Sequence, residues 1–165
     1  MSTSLTAAIF YAALALPQPY GENEPSDARQ YRLSELAVAI DDASDGEPDR
    51  AAALLTIAEA ETLLSRRVHE MGPRKDGRGW AISLWSLHST PLVPYREWRT
   101  LGGLAGTQAA AIAADRVLTW ARERCGSVHG MFALYATGKR CSWKGAGNRV
   151  WQYNRILKQL EADES

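Results

Sequence analysis

The chain has few cysteines and almost none of the sequence patterns that are typical of β-sheet proteins. Only Cys125 and Cys141 are present, sixteen positions apart, which excludes a multi-disulfide framework and a CxxC zinc site. The pair predicts either one disulfide or two free thiols. Alternation of β-branched residues is nearly absent, which favours helices over strands.

Long hydrophobic runs and an excess of charge are also lacking. The apolar residues 5–16 have no basic flank and are too few to span a bilayer, so they predict a core helix rather than a signal peptide or a membrane anchor. The formal net charge is zero, which gives no overall attraction to a polyanion. We therefore expect no nucleic-acid or membrane partner, and synthesis in the cytoplasm.

The zero net charge is the sum of two unlike halves. Residues 1–50 carry nine acidic and three basic side chains, whereas residues 51–165 carry ten acidic and sixteen basic ones. Two interpretations follow: the halves attract each other within the fold, or the basic half orients the protein on an anionic partner.

What the chain does contain is alanine-rich, helix-sized pieces separated by Gly or Pro clusters. At 165 residues, with 45% hydrophobic and 23% charged residues, it has the size and composition of one globular domain. Helices are predicted at 4–16, 28–42, 48–71, 108–124, 128–136 and 146–161. The prediction is thus an all-α domain with a loop-rich region at 72–106, between the third and fourth long helices.

The predicted third helix carries a carboxylate where the core is expected. At about 100° per residue, Glu61 falls in the middle of an apolar stripe, and Glu59 falls on the opposite, solvent side. The stripe consists of Leu54, Ile57, Ala58, Leu64, Ser65 and Val68. A carboxyl group in apolar surroundings stays protonated more readily, as a general acid must. The alternative is that Glu61 pairs with an arginine or lies at a partly solvent-exposed helix edge.

The string AALLTIAEAETLLSRRV, residues 52–68, resembles the catalytic-helix segment of lysozyme-like lytic transglycosylases and phage virion-associated muramidases. In that family an apolar helix carries a glutamate followed by Ser or Thr, and Glu61 and Thr62 match this pair of residues. The resemblance implies a single lysozyme-like domain over residues 1–165, with N-terminal helices at 1–47 and a catalytic-type core at 48–161.

A second string, GWAISLWSLH at residues 79–88, resembles the family's glycine-rich stretch with its Gly-Leu-Trp-Gln-like motif, which an apolar residue and a histidine follow. Ser83 stands in the glycine place, Ser86 in the glutamine place, and His88 at the histidine. The resemblance implies that all three contact the glycan, although solvated loop hydroxyls are the simpler interpretation of Ser83 and Ser86. The three histidines of the chain have no metal-ligand spacing, so no metal or cofactor is expected.

A third string, FALYATG at residues 132–138, resembles the family's Ala-Tyr-Asn-Ala-Gly helix end, with Ala136 in place of the asparagine. The resemblance implies that Tyr135 hydrogen-bonds Glu61 or the acetamido group of the substrate. The following CSW string and the Arg149-bearing last helix are similar to phage versions of the domain.

The resemblance predicts cleavage of peptidoglycan glycan strands. Glu61 would protonate the leaving glycosidic oxygen and then take a proton back, so a second carboxylate is not obligatory. Asp76, in the next loop, is the candidate if one exists, although a solvated loop charge is the simpler interpretation. Glu61 is expected to face a groove whose other wall is built from residues 83–88 and Tyr135.

Aromatic and basic residues provide further candidate glycan contacts. Trp80 and Trp85 flank the predicted cleft loop and are the candidates for stacking on sugar rings, whereas Trp120 and Trp151 are predicted to be core residues. One basic group either meets an anionic cell-wall polymer or is simply solvated; it consists of Arg66, Arg67, Arg74, Lys75 and Arg78.

The alternative function is structural. The departures at Ser86 and Ala136 favour a virion neck, tail or interior protein that keeps the lysozyme-like fold with weak or lost activity, and that binds other virion proteins. In either case the resemblance, without an export signal, indicates a virus-borne or holin-released protein that is delivered to the cell envelope. The resemblance also implies that Cys125 and Cys141 lie close together, as thiols in the cytoplasm and bridged only after release.

Overall fold

The computed structural model describes residues 4–76 and 79–163, and within them it is all-α, as predicted. Eight α-helices and one two-stranded sheet are present among the described residues. In chain order they are α1 (Leu5–Leu14), α2 (Ser26–Ser44), α3 (Pro48–Thr62), α4 (Arg66–Glu70), β1 (Arg74–Asp76), β2 (Gly79–Ala81), α5 (Tyr95–Trp98), α6 (Thr107–Cys125), α7 (Val128–Thr137) and α8 (Ala146–Asp163). None of the described helices combines the length and apolarity needed to cross a bilayer.

Helix α3 lies at the centre of the molecule. It packs against α1, α2, α6 and α8, and every side chain of residues 51–58 is buried. The apolar residues of the expected stripe that lie in α3 are buried, but the expectation of an opposite solvent face is wrong along residues 51–58, because helices cover this part of α3 on all sides. A helix that is apolar all round is typical of a position inside the core.

The end of α3 also differs from the prediction. One helix was expected over residues 48–71, but α3 ends at Thr62, since Leu63 and Leu64 both adopt left-handed backbone conformations with φ of 54° and 53°. Ser65 is the N-cap residue of α4, and its hydroxyl accepts a hydrogen bond from the Val68 amide. Neither Gly nor Pro stands at this break, so the sequence contains no ordinary helix-stop signal there.

Two glutamates fasten the loop before α2, Glu22 to the start of α4 and Glu24 to α2 itself. Glu22 accepts hydrogen bonds from the Ser65 hydroxyl and from the Arg66 amide at the start of α4. Glu24 forms a two-pronged, buried pair with Arg32, with N–O distances of 2.9 and 2.8 Å. These contacts fix the segment that follows Glu61 in the chain.

The same arginine holds a buried histidine. The Arg32 Nη1 lies 3.3 Å from His69 Nδ1, and because arginine has no acceptor, Nδ1 must accept. His69 Nε2, 2.7 Å from the Thr107 hydroxyl, then carries the proton. Burial, with the positive charge of Arg32, lowers the pKa of His69 to about 4. His69 is thus a structural residue.

The two cysteines form a disulfide with a Cα–Cα distance of 5.4 Å. It joins the end of α6 to the connection between α7 and α8, which confirms that the pair lies close together. The prediction that Trp120 and Trp151 are core residues is wrong, since their side chains are 37% and 65% exposed. Both lie on helices, but on the solvent faces, each beside an arginine of the next turn.

The depressed pKa of His69 predicts a pH-dependent loss of stability. Between pH 6.5 and 4 the unfolded chain binds a proton at this histidine and the native state does not, so stability falls as the pH is lowered through that window. Between pH 6.5 and 4 we expect the free energy of unfolding of wild type to fall by about 3 kcal/mol more than that of His69→Gln. Urea unfolding at successive pH values measures both.

His129→Gln is the matched control, because His129 is exposed. It should follow the wild-type curve. If His69→Gln loses as much stability as wild type over the same window, the neutral, buried state assigned to His69 is wrong.

Candidate active site

Glu61 lies in the last turn of α3, where the buried helix reaches the surface. Its Oε1 accepts a hydrogen bond from the Arg149 Nη2 at 2.6 Å, and both side chains are 12% exposed. Of the alternatives considered from the sequence, the structure therefore shows the arginine pair. The sequence could not identify this arginine as the partner, because 88 positions separate the two residues and only the packing of α8 on α3 joins them.

A tight turn at residues 82–87 lies next to this helix end. Ile82 and Leu87 pair as an antiparallel bridge, and Ser83 and Ser86 between them have φ of 67° and 47°. A left-handed conformation normally favours glycine, which is the residue that the family pattern has at the Ser83 position. The backbone is thus strained at two residues of the predicted site.

Hydrogen bonds from three directions hold the turn. The Thr62 hydroxyl shares its one proton between the Ala58 carbonyl of α3 at 2.7 Å and the Leu84 carbonyl of the turn at 3.2 Å. The Trp85 indole N–H donates to the Leu54 carbonyl of α3 at 3.0 Å. The Tyr135 hydroxyl donates to the Trp85 carbonyl at 2.7 Å. These bonds place the turn between the ends of α3 and α7, so the three strings of the resemblance converge.

The structure contradicts the expected stacking of Trp85 and the donation from Tyr135 to Glu61, whereas the alternative contact of Tyr135 with the substrate acetamido group stays a prediction. Trp85 is fully buried, so the prediction that it stacks on a sugar ring is wrong, because neither indole face is open. Tyr135 has a single hydroxyl proton, which it donates to Trp85; it therefore does not donate to Glu61. Trp80, in contrast, is 56% exposed and remains a candidate for stacking.

The predicted serine contacts are largely covered. Ser83 and Ser86 are each 6% exposed, and the Ser86 hydroxyl accepts a hydrogen bond from Arg74 at 2.7 Å. A glycan would reach the Ser86 hydroxyl only at its small exposed edge. Both serines thus contribute first to the turn itself.

An open groove runs along the outer side of the turn. A depression of about 600 Å³ lies between residues 86–92 and the end of α7, with Ser86, His88 and Tyr135 in its walls. A second one, of about 480 Å³, adjoins it at His88 and Ser89 and contains Trp80 and Tyr95. Glu61 does not line either depression. The prediction that Glu61 faces this groove is therefore wrong for both depressions, because of the two expected walls only the opposite one, with Ser86, His88 and Tyr135, contributes residues to them.

Glu59, expected at the surface, is half-buried. Burial raises the pKa of Glu59, and the positive charges of Arg155 and Arg149 counter part of this shift. The prediction of a solvated Glu59 is wrong because α8 covers this face of α3. Glu59 is consequently a second carboxylate close to Arg149.

The remaining charged candidates do not converge on Glu61. Arg66 pairs with Glu70 on the surface, and Lys75 and Arg67 are exposed. The Asp76 side chain and all of Arg78 lie outside the described residues. Among the side chains that the structure describes, no group of three His, Cys, Asp or Glu is placed to hold a metal ion.

Comparison of the chain with known proteins does not identify a relative. No protein-family model, curated protein or solved structure matches the chain. The case for any activity is therefore built on the residues around Glu61 and on the three strings that resemble the lysozyme-like family.

The left-handed end of α3 leads to a stability prediction with a matched pair. Leu63 and Leu64 share nearly the same backbone conformation, but Leu63 is 45% exposed and Leu64 is 2% exposed. Leu63→Gly removes the steric cost of a side chain at positive φ, and we expect it to stabilise the fold by up to about 1 kcal/mol. Leu64→Gly loses a buried side chain and should destabilise it by about 3 kcal/mol.

Chemical denaturation of the two variants beside wild type measures both values. A clear loss of stability in Leu63→Gly would show that the helix end is not strained as described.

Proposed function

We propose that this protein binds and cleaves glycan strands of peptidoglycan as a lysozyme-like domain, with Glu61 as the acid/base. The observation that carries the proposal is the position of Glu61: a carboxylate at the emerging end of a buried helix, held by Arg149 and adjacent to the strained turn that walls a groove. Strained backbone and buried charge pairs concentrate at functional sites.

The Glu61–Arg149 pair leaves one carboxylate oxygen available for chemistry. Arg149 binds Oε1, and Oε2 accepts no hydrogen bond from the residues that the structure describes. Arg149 thereby fixes the plane of the carboxylate, and Oε2 is the atom that would carry a proton to the leaving glycosidic oxygen. In its ionised form the same carboxylate would stabilise the positive charge that develops on the sugar.

The groove has the size and lining that a glycan needs. Its two parts, about 600 and 480 Å³, fall within the range of small-molecule sites. Trp80 offers an exposed indole, on which the apolar face of a pyranose ring can pack. The Tyr95 ring is stacked on Trp98 and contacted by the Arg99 guanidinium, so it contributes its exposed edge. A strand in this groove would pass on the outer side of the turn, so cleavage requires the strand or the turn to bring the scissile bond to Glu61.

A structural role without cleavage is the second candidate, and two observations favour it. Glu61 is already paired and lies outside the groove lining, and the Ser86 hydroxyl is already bonded to Arg74. In that case the groove would bind glycan or a virion protein, and Glu61 would only join α3 to α8.

Glu61→Gln separates the two candidates. The amide keeps the shape and accepts from Arg149 but delivers no proton, so we expect cleavage of purified peptidoglycan to fall by at least about 100-fold while sedimentation with insoluble peptidoglycan is retained. Zymograms and the release of soluble glycan measure cleavage, and co-sedimentation measures binding.

Glu70→Gln is the control, since Glu70 forms only a surface pair with Arg66 and should cleave like wild type. Glu59→Gln tests the neighbouring carboxylate separately. Wild type that binds but never cleaves would support the structural candidate, and Glu61→Gln that cleaves at the wild-type rate would remove Glu61 from the mechanism.

Trp80→Ala tests the groove. Loss of the exposed indole removes a stacking surface, so we expect binding of soluble glycan fragments to weaken by roughly tenfold without loss of folding, as measured by titration calorimetry. Trp151→Ala removes a tryptophan that is 65% exposed, against 56% for Trp80, and that lines neither part of the groove. Equal effects of the two changes would contradict the assignment of the groove as the glycan site.

A further inference from the structure

The strongest feature outside the groove is a tryptophan that covers the Glu61–Arg149 pair. The Trp143 ring centroid lies 5.4 Å from the Arg149 guanidinium carbon. Trp143 is 40% exposed, whereas the Arg149 side chain is 12% exposed. The indole thus lies between the guanidinium and solvent.

Arg149 depends on the Trp143 indole because one of its guanidinium nitrogens has no hydrogen-bond acceptor among the described residues. Nη2 donates to Glu61, but Nη1 is buried and meets no hydrogen-bond acceptor among the described residues. A buried donor without an acceptor is costly, and the negative face of an indole offsets part of that cost by attracting the cation.

The position of the indole depends on a glycine two residues later. A Cβ built on Gly145 would lie 2.3 Å from the Trp143 Cη2 and Cζ2 atoms, which is far inside contact distance. The φ of Gly145 is not in the left-handed region, so this glycine is required for space and not for backbone conformation. Any side chain at this position must displace the ring.

The backbone of Trp143 is held from both sides. Two residues before it, Cys141 is joined by the disulfide to Cys125 at the end of α6. Its own carbonyl accepts from the Ala146 amide at the start of α8, at 3.1 Å. The connection between α7 and α8 is therefore anchored where it presents the indole.

We infer that Trp143 is a positioning residue: its indole, seated on Gly145, excludes water from Arg149 and fixes the guanidinium that orients the Glu61 carboxylate. The consequence for cleavage rests on the proposed function. The effect on Arg149 does not, because it concerns the hydration of a side chain in the resting protein.

Gly145→Ala tests this placement without changing any of the three side chains. Because the atoms nearest to the new Cβ are the outer ring atoms of Trp143, the fold should be retained, which circular dichroism and thermal unfolding would check. We expect the guanidinium protons of Arg149, followed by nitrogen-15 NMR, to exchange with water roughly tenfold faster than in wild type.

Gly147→Ala is the matched control, since a Cβ at Gly147 meets nothing within 4 Å. It should leave the exchange rate unchanged. Equal exchange in wild type and Gly145→Ala would overturn the inference, as would equal acceleration in Gly147→Ala.

Trp143→Phe and Trp143→Ser separate positioning from mere folding. Phenylalanine keeps an aromatic face over the cation, so Trp143→Phe should retain most of the slow exchange, and Trp143→Ser should lose it. If wild type cleaves glycan, kcat should fall in Trp143→Ser and Gly145→Ala with KM little changed, because the groove is untouched.

The two hypotheses fail in different ways. Absence of cleavage in wild type with slow, Trp143-dependent exchange would reject the proposed function and keep the inference. Cleavage by wild type, together with Arg149 exchange rates that do not change on substitution of Trp143 or Gly145, would keep the proposed function and reject the inference.

Discussion

The burial of α3 on every side is the constraint on which the rest of the structure depends. Because four helices surround it, residues 51–58 carry no charge, and the charges of the helix are confined to its ends. Each end is then tied to its neighbours by ion pairs. Arg50 binds Asp115 of α6, and Glu61 binds Arg149 of α8. A central helix can bear charges only where it emerges and only where neighbouring helices supply partners.

The emerging end of this helix is also where backbone strain collects. Five residues other than glycine have positive φ among those described, and four of them lie at the end of α3 or in the adjoining turn: Leu63, Leu64, Ser83 and Ser86. Such conformations cost energy and persist only when the surroundings impose them. Here the imposing contacts are the bonds from Thr62, Trp85 and Tyr135. A turn held from three sides can keep a shape that its own sequence would not adopt.

Distant parts of the chain are joined around one carboxylate. The cation of Arg149 lies between Glu61 and the Trp143 ring, and the disulfide anchors the segment that carries Trp143. The groove, in contrast, does not include Glu61, and Trp80 and His88 lie in its two parts. The candidate site therefore consists of a charged pair and a separate open groove, and the strained turn contributes Ser86 to the wall of that groove.

The proximity of the two cysteines was predicted only through the family resemblance. The sequence by itself determined the helical class, most helix limits to within a few residues, and the unusual place of Glu61. These depend on local patterns: alanine content, Gly and Pro punctuation, and a glutamate within an apolar run. Only the tertiary structure decided that α3 ends at Thr62, that Trp85 is buried while Trp151 is exposed, that Glu59 is half-buried, and that Arg149 is the partner of Glu61. Each of these depends on which helices pack together. Helical periodicity identifies the apolar face of one helix, but it does not say how many neighbours cover it, and a partner 88 positions away leaves no trace in local sequence.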